Sequence, residues 1–203
     1  MILPINPEHP EPRKIRQAVA VLEKGGAIAY PTGTVIGFGC DLLNRKAVEK
    51  LYRIKAAKKR KPFSFLCADL SEISRYAVVP DRAYRIMRRL VPGPYTFILE
   101  ATREVPKLCM DRRKTVGIRV PEHPVARAIL DELGRPIIST SASREGDEWT
   151  TNDPAEISVR FKQLDLVLDA GMGGINPSTV LAFNEFGEIE VLREGSGPVD
   201  DLL

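Results

Sequence analysis

The stretch "RPIISTSASREG", residues 135–146, runs from a short apolar segment into a row of small hydroxylated residues. The apolar residues 136–138 predict a buried strand. Of the next five residues, four carry a hydroxyl group: Ser139, Thr140, Ser141 and Ser143. Hydroxyls at the end of a strand either satisfy backbone groups of a turn or bind a ligand such as a phosphate. The rest of the sequence has to decide between these two interpretations.

Two other loops of this kind follow predicted strands: "YPTGTVIGFGCD", residues 30–41, and "GMGGINPST", residues 171–179. Ligands of open α/β folds bind at the carboxyl edge of the sheet, where such loops meet. Neither loop has the Gly-Lys-Ser/Thr ending of a P-loop, and Asn176 stands where a dinucleotide fingerprint has its last glycine. Turn chemistry explains each loop alone, but three such loops in one domain indicate a ligand site.

Strands and helices alternate along the chain. "EPRKIRQAVAVLEKGG" (residues 11–26) and "RKAVEKLYRIK" (residues 45–55) have helical apolar spacing, whereas "AIAYP" (27–31) and "YTFILEA" (95–101) read as strands. Asn44, Asp69 with Glu72, and Asp81 are predicted helix N-caps, and Gly134 is a predicted C-terminal stop. We therefore predict a single α/β domain, residues 1–203 with a core of about 11–197, built on an open mixed β-sheet.

The composition, 43% hydrophobic and 28% charged, is typical of a globular protein. No apolar run reaches the roughly 18 residues that a membrane span needs, and the N-terminus lacks a signal-peptide pattern. The three cysteines form no C-x-x-C pair, as expected of free thiols in the cytoplasm. With only two histidines, His9 and His123, we predict neither a histidine-based metal site nor a Ser-His-Asp triad.

The net charge of +3 conceals an uneven distribution of charge. Residues 1–120 contain 24 Lys and Arg against 11 Asp and Glu, and residues 121–203 contain 6 against 16. Such asymmetry indicates a polyanionic partner. Candidate RNA-binding residues are Lys58, Lys59, Arg60, Lys61, Arg82, Arg85 and Arg89. Solvated helix faces are the alternative interpretation. Lys55, at the end of a predicted helix, is either solvated or a phosphate contact.

Seven motifs occur in a fixed order: "YPTGTVIGFGCD", "LYRIKAA", "PGPYTFIL", "VGIRVPEHPVA", "PIISTSAS", "PSTVL" and "LREG". Together they resemble the YrdC/YciO superfamily, whose active members are threonylcarbamoyl-AMP synthases, from about residue 15 to residue 197. The resemblance implies a YrdC-like (YrdC/RibB-type) fold, which is a twisted open mixed sheet with flanking helices and a basic concave cleft.

The resemblance also implies a reaction. Active relatives carboxylate L-threonine with bicarbonate and adenylate the carbamate with ATP and Mg²⁺, releasing pyrophosphate, and the product serves t6A formation on tRNA. By position, Thr32, Thr34 and Arg119 would bind threonine, with Arg119 on its carboxylate. The nucleotide would be held by Lys55, Ser139, Thr140, Ser141, Ser143, Ser178, Thr179 and Arg193. Mg²⁺ would arrive on the phosphates, so no tightly bound metal is expected.

Four positions depart from the pattern of the active synthases, and we expect all four in the pocket. Gly33 stands in place of an acid, Ile36 of an aromatic residue, Ala57 of an arginine and Ser143 of an asparagine. Arg60, three positions after Ala57, is a candidate replacement for the arginine. This pattern resembles the YciO branch more closely.

The departures leave alternative functions open. One is a YciO-like paralogue with weak or no synthase activity that binds double-stranded RNA, tRNA or rRNA. Binding of structured RNA through its backbone fits better than base stacking, because aromatic residues make up only 6% of the chain. Another is a phosphate-ester hydrolase that uses Asp41, although the sequence shows no second carboxylate or metal-ligand spacing near it.

Overall fold

The computed structural model describes residues 1–56, 63–110, 113–144, 146–147, 151–200 and 202. Within them the chain forms eleven strands: β1 (Ile2–Pro4), β2 (Ala27–Pro31), β3 (Ile36–Asp41), β4 (Ser64–Leu66), β5 (Ala77–Val78), β6 (Tyr95–Ala101), β7 (Thr115–Arg119), β8 (Ile137–Ser141), β9 (Leu166–Asp169), β10 (Thr179–Phe183) and β11 (Ile189–Arg193). The same residues form six α-helices: α1 (Pro12–Glu23), α2 (Arg45–Lys55), α3 (Leu70–Tyr76), α4 (Asp81–Leu90), α5 (Pro124–Leu133) and α6 (Pro154–Arg160). None of these helices is long and apolar enough to cross a membrane.

The strands form one mixed sheet in the order β1-β9-β2-β3-β8-β4-β7-β6-β10-β11, and β5 pairs with β6 beside this path. Pairs such as β2 with β9 and β4 with β7 are parallel, whereas β3 with β8 and β6 with β7 are antiparallel. The order begins and ends on different strands, so the described sheet does not close on itself. The predicted fold, an open mixed sheet with flanking helices, is confirmed.

Side-chain caps set several of the predicted helix boundaries. The Asn44 side chain accepts a hydrogen bond from the backbone N–H of Ala47 at 3.1 Å, which begins α2. Asp69 accepts from the backbone N–H of Glu72 at 3.0 Å, which begins α3. Gly134 ends α5 with a φ of 67°, a left-handed conformation that glycine adopts without steric cost.

Three local features differ from the sequence prediction. β1 and β5 were not predicted, because segments of three and two residues are too short to show a periodic pattern. β1 pairs in parallel with β9 at the edge of the sheet. The prediction that Asp81 caps α4 was wrong, because Pro80 occupies the N-cap position and no side chain caps this helix. Asp81 is the first helical residue, where its charge complements the helix dipole.

The two faces of the sheet are covered differently. One face carries the larger hydrophobic cluster, where strand residues such as Phe38 and Phe97 pack with residues of α2, α3, α4 and α6. On the opposite face, a second cluster joins α1 and α5 to strand residues such as Ile28 and Ile137. We call this second region the covered part of the face. The alternate residues of β6, β7 and the end of β8 on the same face form the open part, which is lined by polar side chains.

Candidate functional site

A cavity of about 360 Å³ lies on the open part of the sheet. Ten residues that we predicted for substrate binding line it: Thr32, Thr34, Lys55, Arg119, Ser139, Thr140, Ser141, Ser143, Ser178 and Arg193. Residues from all three of the hydroxyl- or glycine-rich loops are among them. The structure therefore brings together segments that lie far apart in the sequence, as the sequence prediction of one ligand site requires.

Lys55 lies against the segment that follows β8. Its Nζ donates to the carbonyl oxygen of Ser141 at 2.9 Å, to the Ser141 Oγ at 3.1 Å and to the Ser143 Oγ at 2.8 Å. α2 ends at Lys55, and Ala56 then takes a left-handed conformation with a φ of 51°. A buried ammonium group held among serine hydroxyls has the chemistry of a phosphate-binding site.

Arg119 is a buried cation on the floor of the same cavity. Its Nη1 donates to the Thr34 Oγ1 at 2.7 Å, its Nη2 to the carbonyl oxygen of Thr32 at 2.9 Å, and its Nε to the carbonyl oxygen of Gly93 at 3.2 Å. Burial lowers the pKa of Arg119 to about 10, so it stays charged at neutral pH. Among the described residues no carboxylate lies within 4.0 Å of it. Glu122 acts on Arg119 through its charge from farther away, so a small carboxylate in the cavity would be the one to pair directly with the guanidinium group.

Two further hydrogen bonds fix hydroxyl groups on the floor. The Tyr30 hydroxyl, on β2, donates to the Ser139 Oγ at 2.7 Å. The Oγ1 of Thr96 and the Oγ of Ser178 lie 2.8 Å apart. Thr96 was not predicted as a site residue, although strand alternation in β6 places it with Ile98 on the open part of the face. Alternation along β6 would therefore have predicted Thr96 as a site residue once the face of this strand that borders the cavity was known.

Thr179, unlike its neighbour Ser178, does not line the cavity. It is fully buried, and its Oγ1 donates to the carbonyl oxygen of Gly197 at 2.6 Å. The same atom accepts from the N–H groups of Gly195 and Gly197 at 2.9 and 3.0 Å. Thr179 therefore fixes the loop of residues 195–197, which follows β11, by three hydrogen bonds. Arg193, which does line the cavity, donates from Nη2 to the carbonyl oxygen of Ser178 at 2.7 Å.

The four departures from the synthase pattern do not all lie in the cavity. Ser143 lines it. Ile36 belongs to the hydrophobic cluster on the opposite face of the sheet, so its predicted place in the pocket was wrong. Gly33 has a φ of 87°, and a Cβ there would lie 3.0 Å from the Cγ of Glu122. Ala57, with the proposed replacement Arg60, falls outside the residues that the structure describes.

Two charged residues that the sequence did not point to also line the cavity, Arg144 and Asp147. Asp147 pairs with the Nη2 of Arg160, at 2.8 and 2.9 Å from its two oxygens. Both residues lie in the loop after β8, which has no periodic pattern to indicate where its side chains point.

The predicted RNA-binding residues lie elsewhere. Arg82, Arg85 and Arg89 are exposed on α4, whose buried residues Ala83 and Met87 belong to the cluster on the face opposite the cavity. The other cluster, residues 58–61, lies outside the described residues. None of the three arginines of α4 lines the cavity.

Asp41 and His123 have structural roles. Both carboxylate oxygens of Asp41 accept from Arg135, at 3.0 and 2.6 Å, and one also accepts from the backbone N–H of Leu43. Asp41 does not line the cavity, and no group of three or more metal-ligand side chains occurs in the described part of the chain. His123 caps α5 by accepting from the backbone N–H of Val125, and burial lowers its pKa. The hydrolase alternative is not supported by this geometry.

Comparison with known proteins finds one family model and, both in sequence and in structure, the YciO protein of Escherichia coli. The Sua5/YciO/YrdC family model, described as "Telomere recombination", matches residues 20–195. The uncharacterized protein YciO of Escherichia coli (strain K12) is 43% identical over 201 residues, which is 98% of this chain and 97% of YciO. The crystal structure of E. coli YciO superposes with a TM-score of 0.94 at 41% identity, covering 100% of this chain and 99% of that one.

Two other matches carry the name of an activity or a ligand. The threonylcarbamoyl-AMP synthase of Idiomarina loihiensis is 36% identical over 164 residues, 78% of this chain and 87% of that protein. The structure of P. abyssi Sua5 complexed with L-threonine superposes with a TM-score of 0.91 at 27% identity. This chain is covered to 98%, but it spans only 58% of that Sua5 chain.

Proposed function

Because the chain belongs to the Sua5/YciO/YrdC family, we propose that it is an L-threonylcarbamoyl-AMP synthase that uses L-threonine, bicarbonate and ATP. One observation carries the proposal: the buried cations Arg119 and Lys55 line a single cavity of about 360 Å³, each hydrogen-bonded to hydroxyl groups. Relatives named threonylcarbamoyl-AMP synthase, and the Sua5 structure with L-threonine, support this choice of substrates.

In this proposal Arg119 binds the carboxylate of L-threonine. Its guanidinium group presents a planar fork of donors that matches a carboxylate. Thr32 and Thr34 lie beside it and both line the cavity. The Thr34 Oγ1 accepts from the Nη1 at 2.7 Å, and the Thr32 Oγ1 donates to the carbonyl oxygen of Val35. These contacts hold the guanidinium group and the two threonines together at the proposed amino-acid end of the cavity. Because the pKa of Arg119 is about 10, the residue carries its charge throughout the neutral range.

The nucleotide is assigned to the other polar groups of the cavity. Lys55, Ser139, Ser141, Ser143, Ser178 and Arg193 would contact the phosphates and the adenylate. The lining contains the cations Lys55, Arg119, Arg144 and Arg193 but, among the described residues, only the carboxylate Asp147, which Arg160 already neutralises. This imbalance favours an anionic ligand. Mg²⁺ would be held by ATP phosphates and water, the arrangement this ion prefers.

The proposed reaction has two steps. The neutral amine of L-threonine forms a bond to the carbon of bicarbonate, and the hydroxyl of bicarbonate leaves as water with a proton from the nitrogen. A carbamate oxygen then bonds to the α-phosphorus of ATP, the bond to the bridging oxygen breaks, and pyrophosphate leaves. No side chain forms a covalent intermediate, so the protein contributes positioning and charge neutralisation.

The test is a pyrophosphate-release assay with ATP, Mg²⁺, bicarbonate and L-threonine, omitting one component at a time. We expect release to require all four components. Lys55→Ala should reduce it at least about tenfold, because a charge-assisted contact is lost. Arg45→Ala removes one positive charge at the other end of α2 and should have no effect. Absence of release, or release without L-threonine, overturns the proposal.

A second candidate function is binding of double-stranded RNA or tRNA by a YciO-like paralogue. The observation that favours it is α4, where Arg82, Arg85 and Arg89 are exposed and, among the described residues, pair with no carboxylate. Phosphate contacts by such arginines need no base readout.

The test of this second function is the salt dependence of binding to an RNA duplex. Replacing Arg82, Arg85 and Arg89 together by alanine should weaken binding and lower the salt slope by about 2 to 3. A matched triple variant at Arg13, Arg16 and Arg127, which are exposed on α1 and α5, should bind like the wild type. Equal binding by both triple variants contradicts an RNA role for α4.

A further inference from the structure

Arg144 is a cavity residue to which neither the sequence motifs nor the comparisons give a role. It follows Ser143, whose Oγ accepts from the Nζ of Lys55 at 2.8 Å. Its own side chain is exposed to solvent and lines the cavity. Arg144 therefore places a second positive charge next to Ser143, which is already hydrogen-bonded to Lys55.

Arg144 makes one contact through its backbone and one through its side chain. Its backbone N–H donates to an oxygen of Asp147 at 2.6 Å. Its guanidinium carbon lies 5.7 Å from the centroid of the Phe161 ring, and Phe161 is almost completely buried. The guanidinium carbon of Arg160 lies over the same ring at 5.3 Å. A cation–π contact does not use an N–H donor in a conventional hydrogen bond, so the donors of Arg144 stay available for other acceptors.

Among the described residues, none neutralises the charge of Arg144 through an ion pair. Asp147, the carboxylate on this wall, accepts both of its ion-pair hydrogen bonds from Arg160. Within the described ranges, no side-chain oxygen accepts a hydrogen bond from the Arg144 guanidinium and no carboxylate lies within 4.0 Å of it. An anchored guanidinium with free donors at the rim of a cavity suits a bidentate contact to phosphate.

We propose that Arg144 binds the phosphate chain of the nucleotide at the mouth of the cavity, next to Lys55 and Ser143. The proposal rests on the proposed function in so far as it takes the ligand to be a nucleoside triphosphate. The contact itself requires only a linear polyphosphate, which allows the residue to be tested independently of the synthase reaction.

The experiment measures the binding of ATP and, separately, of inorganic tripolyphosphate by isothermal titration calorimetry. The proteins are the wild type, Arg144→Ala, Arg144→Lys, Lys55→Ala and the charge-matched control Arg45→Ala. We expect Arg144→Ala to weaken both ligands by about 10- to 100-fold, since charge-assisted hydrogen bonds are lost. Arg144→Lys should restore part of the affinity, because a lysine keeps the charge without the fork. Arg45→Ala should bind as the wild type does.

The outcomes separate the two proposals. If Arg144→Ala binds both ligands like the wild type while Lys55→Ala does not, the nucleotide site stands and the role of Arg144 is overturned. If tripolyphosphate binding depends on Arg144 but ATP does not bind, Arg144 is a polyphosphate contact, and both its assignment to a nucleotide and the synthase proposal fail. Binding of neither ligand by the wild type overturns both. Because Arg144 is exposed, the variants are expected to fold, and circular dichroism confirms this before titration.

Discussion

The covered and the open part of one sheet face use the same strands for different purposes. In β8, Ile137 packs under α1 and α5 in a hydrophobic cluster, whereas Ser139, two residues later on the same face, lines the cavity. In the covered part, burial of apolar surface stabilises the fold. In the open part, the side chains are hydrogen-bonded to one another instead.

This difference shows how a sheet face that no helix covers avoids the energetic cost of unpaired polar groups. No buried side-chain nitrogen or oxygen in the described part of the chain lacks a hydrogen-bond partner. The Tyr30–Ser139 and Thr96–Ser178 pairs and the three bonds of Lys55 satisfy the polar floor internally. Unpaired buried polar groups would each cost about 1–3 kcal/mol. The buried polar groups of the floor therefore need no ligand to complete their hydrogen bonds.

The largest expected effect comes from weakening the covered part. Leu22 on α1 is fully buried in the second hydrophobic cluster. We expect Leu22→Ala to lower the free energy of unfolding by about 2–5 kcal/mol, because the substitution removes apolar contacts and leaves a cavity. Urea denaturation followed by circular dichroism measures this. Gln17→Ala, at an exposed position of the same helix, is the control.

ATP binding by Leu22→Ala tests whether the covered part affects the cavity of the open part. Leu22 does not line the cavity, so the folded fraction of Leu22→Ala should bind ATP within about twofold of the wild type. A large loss of affinity in the folded protein would mean that the two parts of the face are not independent.

The next effect is expected in the open part, at Arg119. Arg119→Met keeps a long side chain but removes the cation and its fork of donors. We expect the affinity for L-threonine to fall by about 3 kcal/mol, or roughly a hundredfold. The free energy of unfolding should change by less, because loss of four hydrogen bonds is offset by removal of a buried charge. Calorimetry with L-threonine and urea denaturation separate the two quantities.

The control for this experiment is Arg127→Met, which removes an exposed arginine of α5 outside the cavity. It should leave both quantities unchanged. If Arg119→Met retains full affinity for L-threonine, the proposal that Arg119 binds the threonine carboxylate is contradicted.

The covered part was the more predictable of the two from sequence. Helical spacing predicted that Ile15, Ala18, Val19 and Leu22 share one face of α1, and all four are buried. The family resemblance was also confirmed. The helical spacing of α1 is a local pattern, and the family resemblance extends over seven ordered motifs. Neither prediction depends on which face of a strand a residue occupies.

The open part depends on details that the sequence does not determine. Ile36 and Gly37 are neighbours, yet Ile36 packs in the core and Gly37 lines the cavity. A shift of one residue in the register of β3 would exchange the two. Thr179 and Ser178 show the same effect, and Arg144 lies in a loop that has no period. Ten cavity residues were predicted by their positions in the motifs, but the orientations of Ile36, Thr179 and Arg144 were not.

A smaller effect is expected where the two parts meet, at Gly33. This residue has a φ of 87°, and a Cβ would lie 3.0 Å from the Cγ of Glu122, just before α5. We expect Gly33→Ala to cost about 1–3 kcal/mol of unfolding free energy, from backbone strain and from crowding of Glu122. Urea denaturation measures this cost.

Gly134→Ala is a matched control, because Gly134 has a φ of 67° but nothing within 4 Å of its added Cβ. It should show the backbone cost alone. The double variant Gly33→Ala/Glu122→Ala should recover the difference between the two single glycine variants. If Gly33→Ala is no more destabilising than Gly134→Ala, contact with Glu122 has no part in shaping this boundary.

The smallest effect is expected from Tyr30, which belongs to both parts at once. Its buried ring packs in the covered cluster, while its hydroxyl donates to the Ser139 Oγ on the floor of the cavity. Tyr30→Phe keeps the ring and removes one hydrogen bond, so we expect a loss of about 1 kcal/mol in unfolding free energy. Ser139→Ala removes the other partner and leaves the Tyr30 hydroxyl buried without an acceptor, which should cost more. Urea denaturation of the two variants distinguishes these costs. If Tyr30→Phe is instead the more destabilising of the two, the Tyr30 hydroxyl stabilises the covered part by itself. The hydrogen bond to Ser139 then does not link the stability of the covered part to the floor of the cavity.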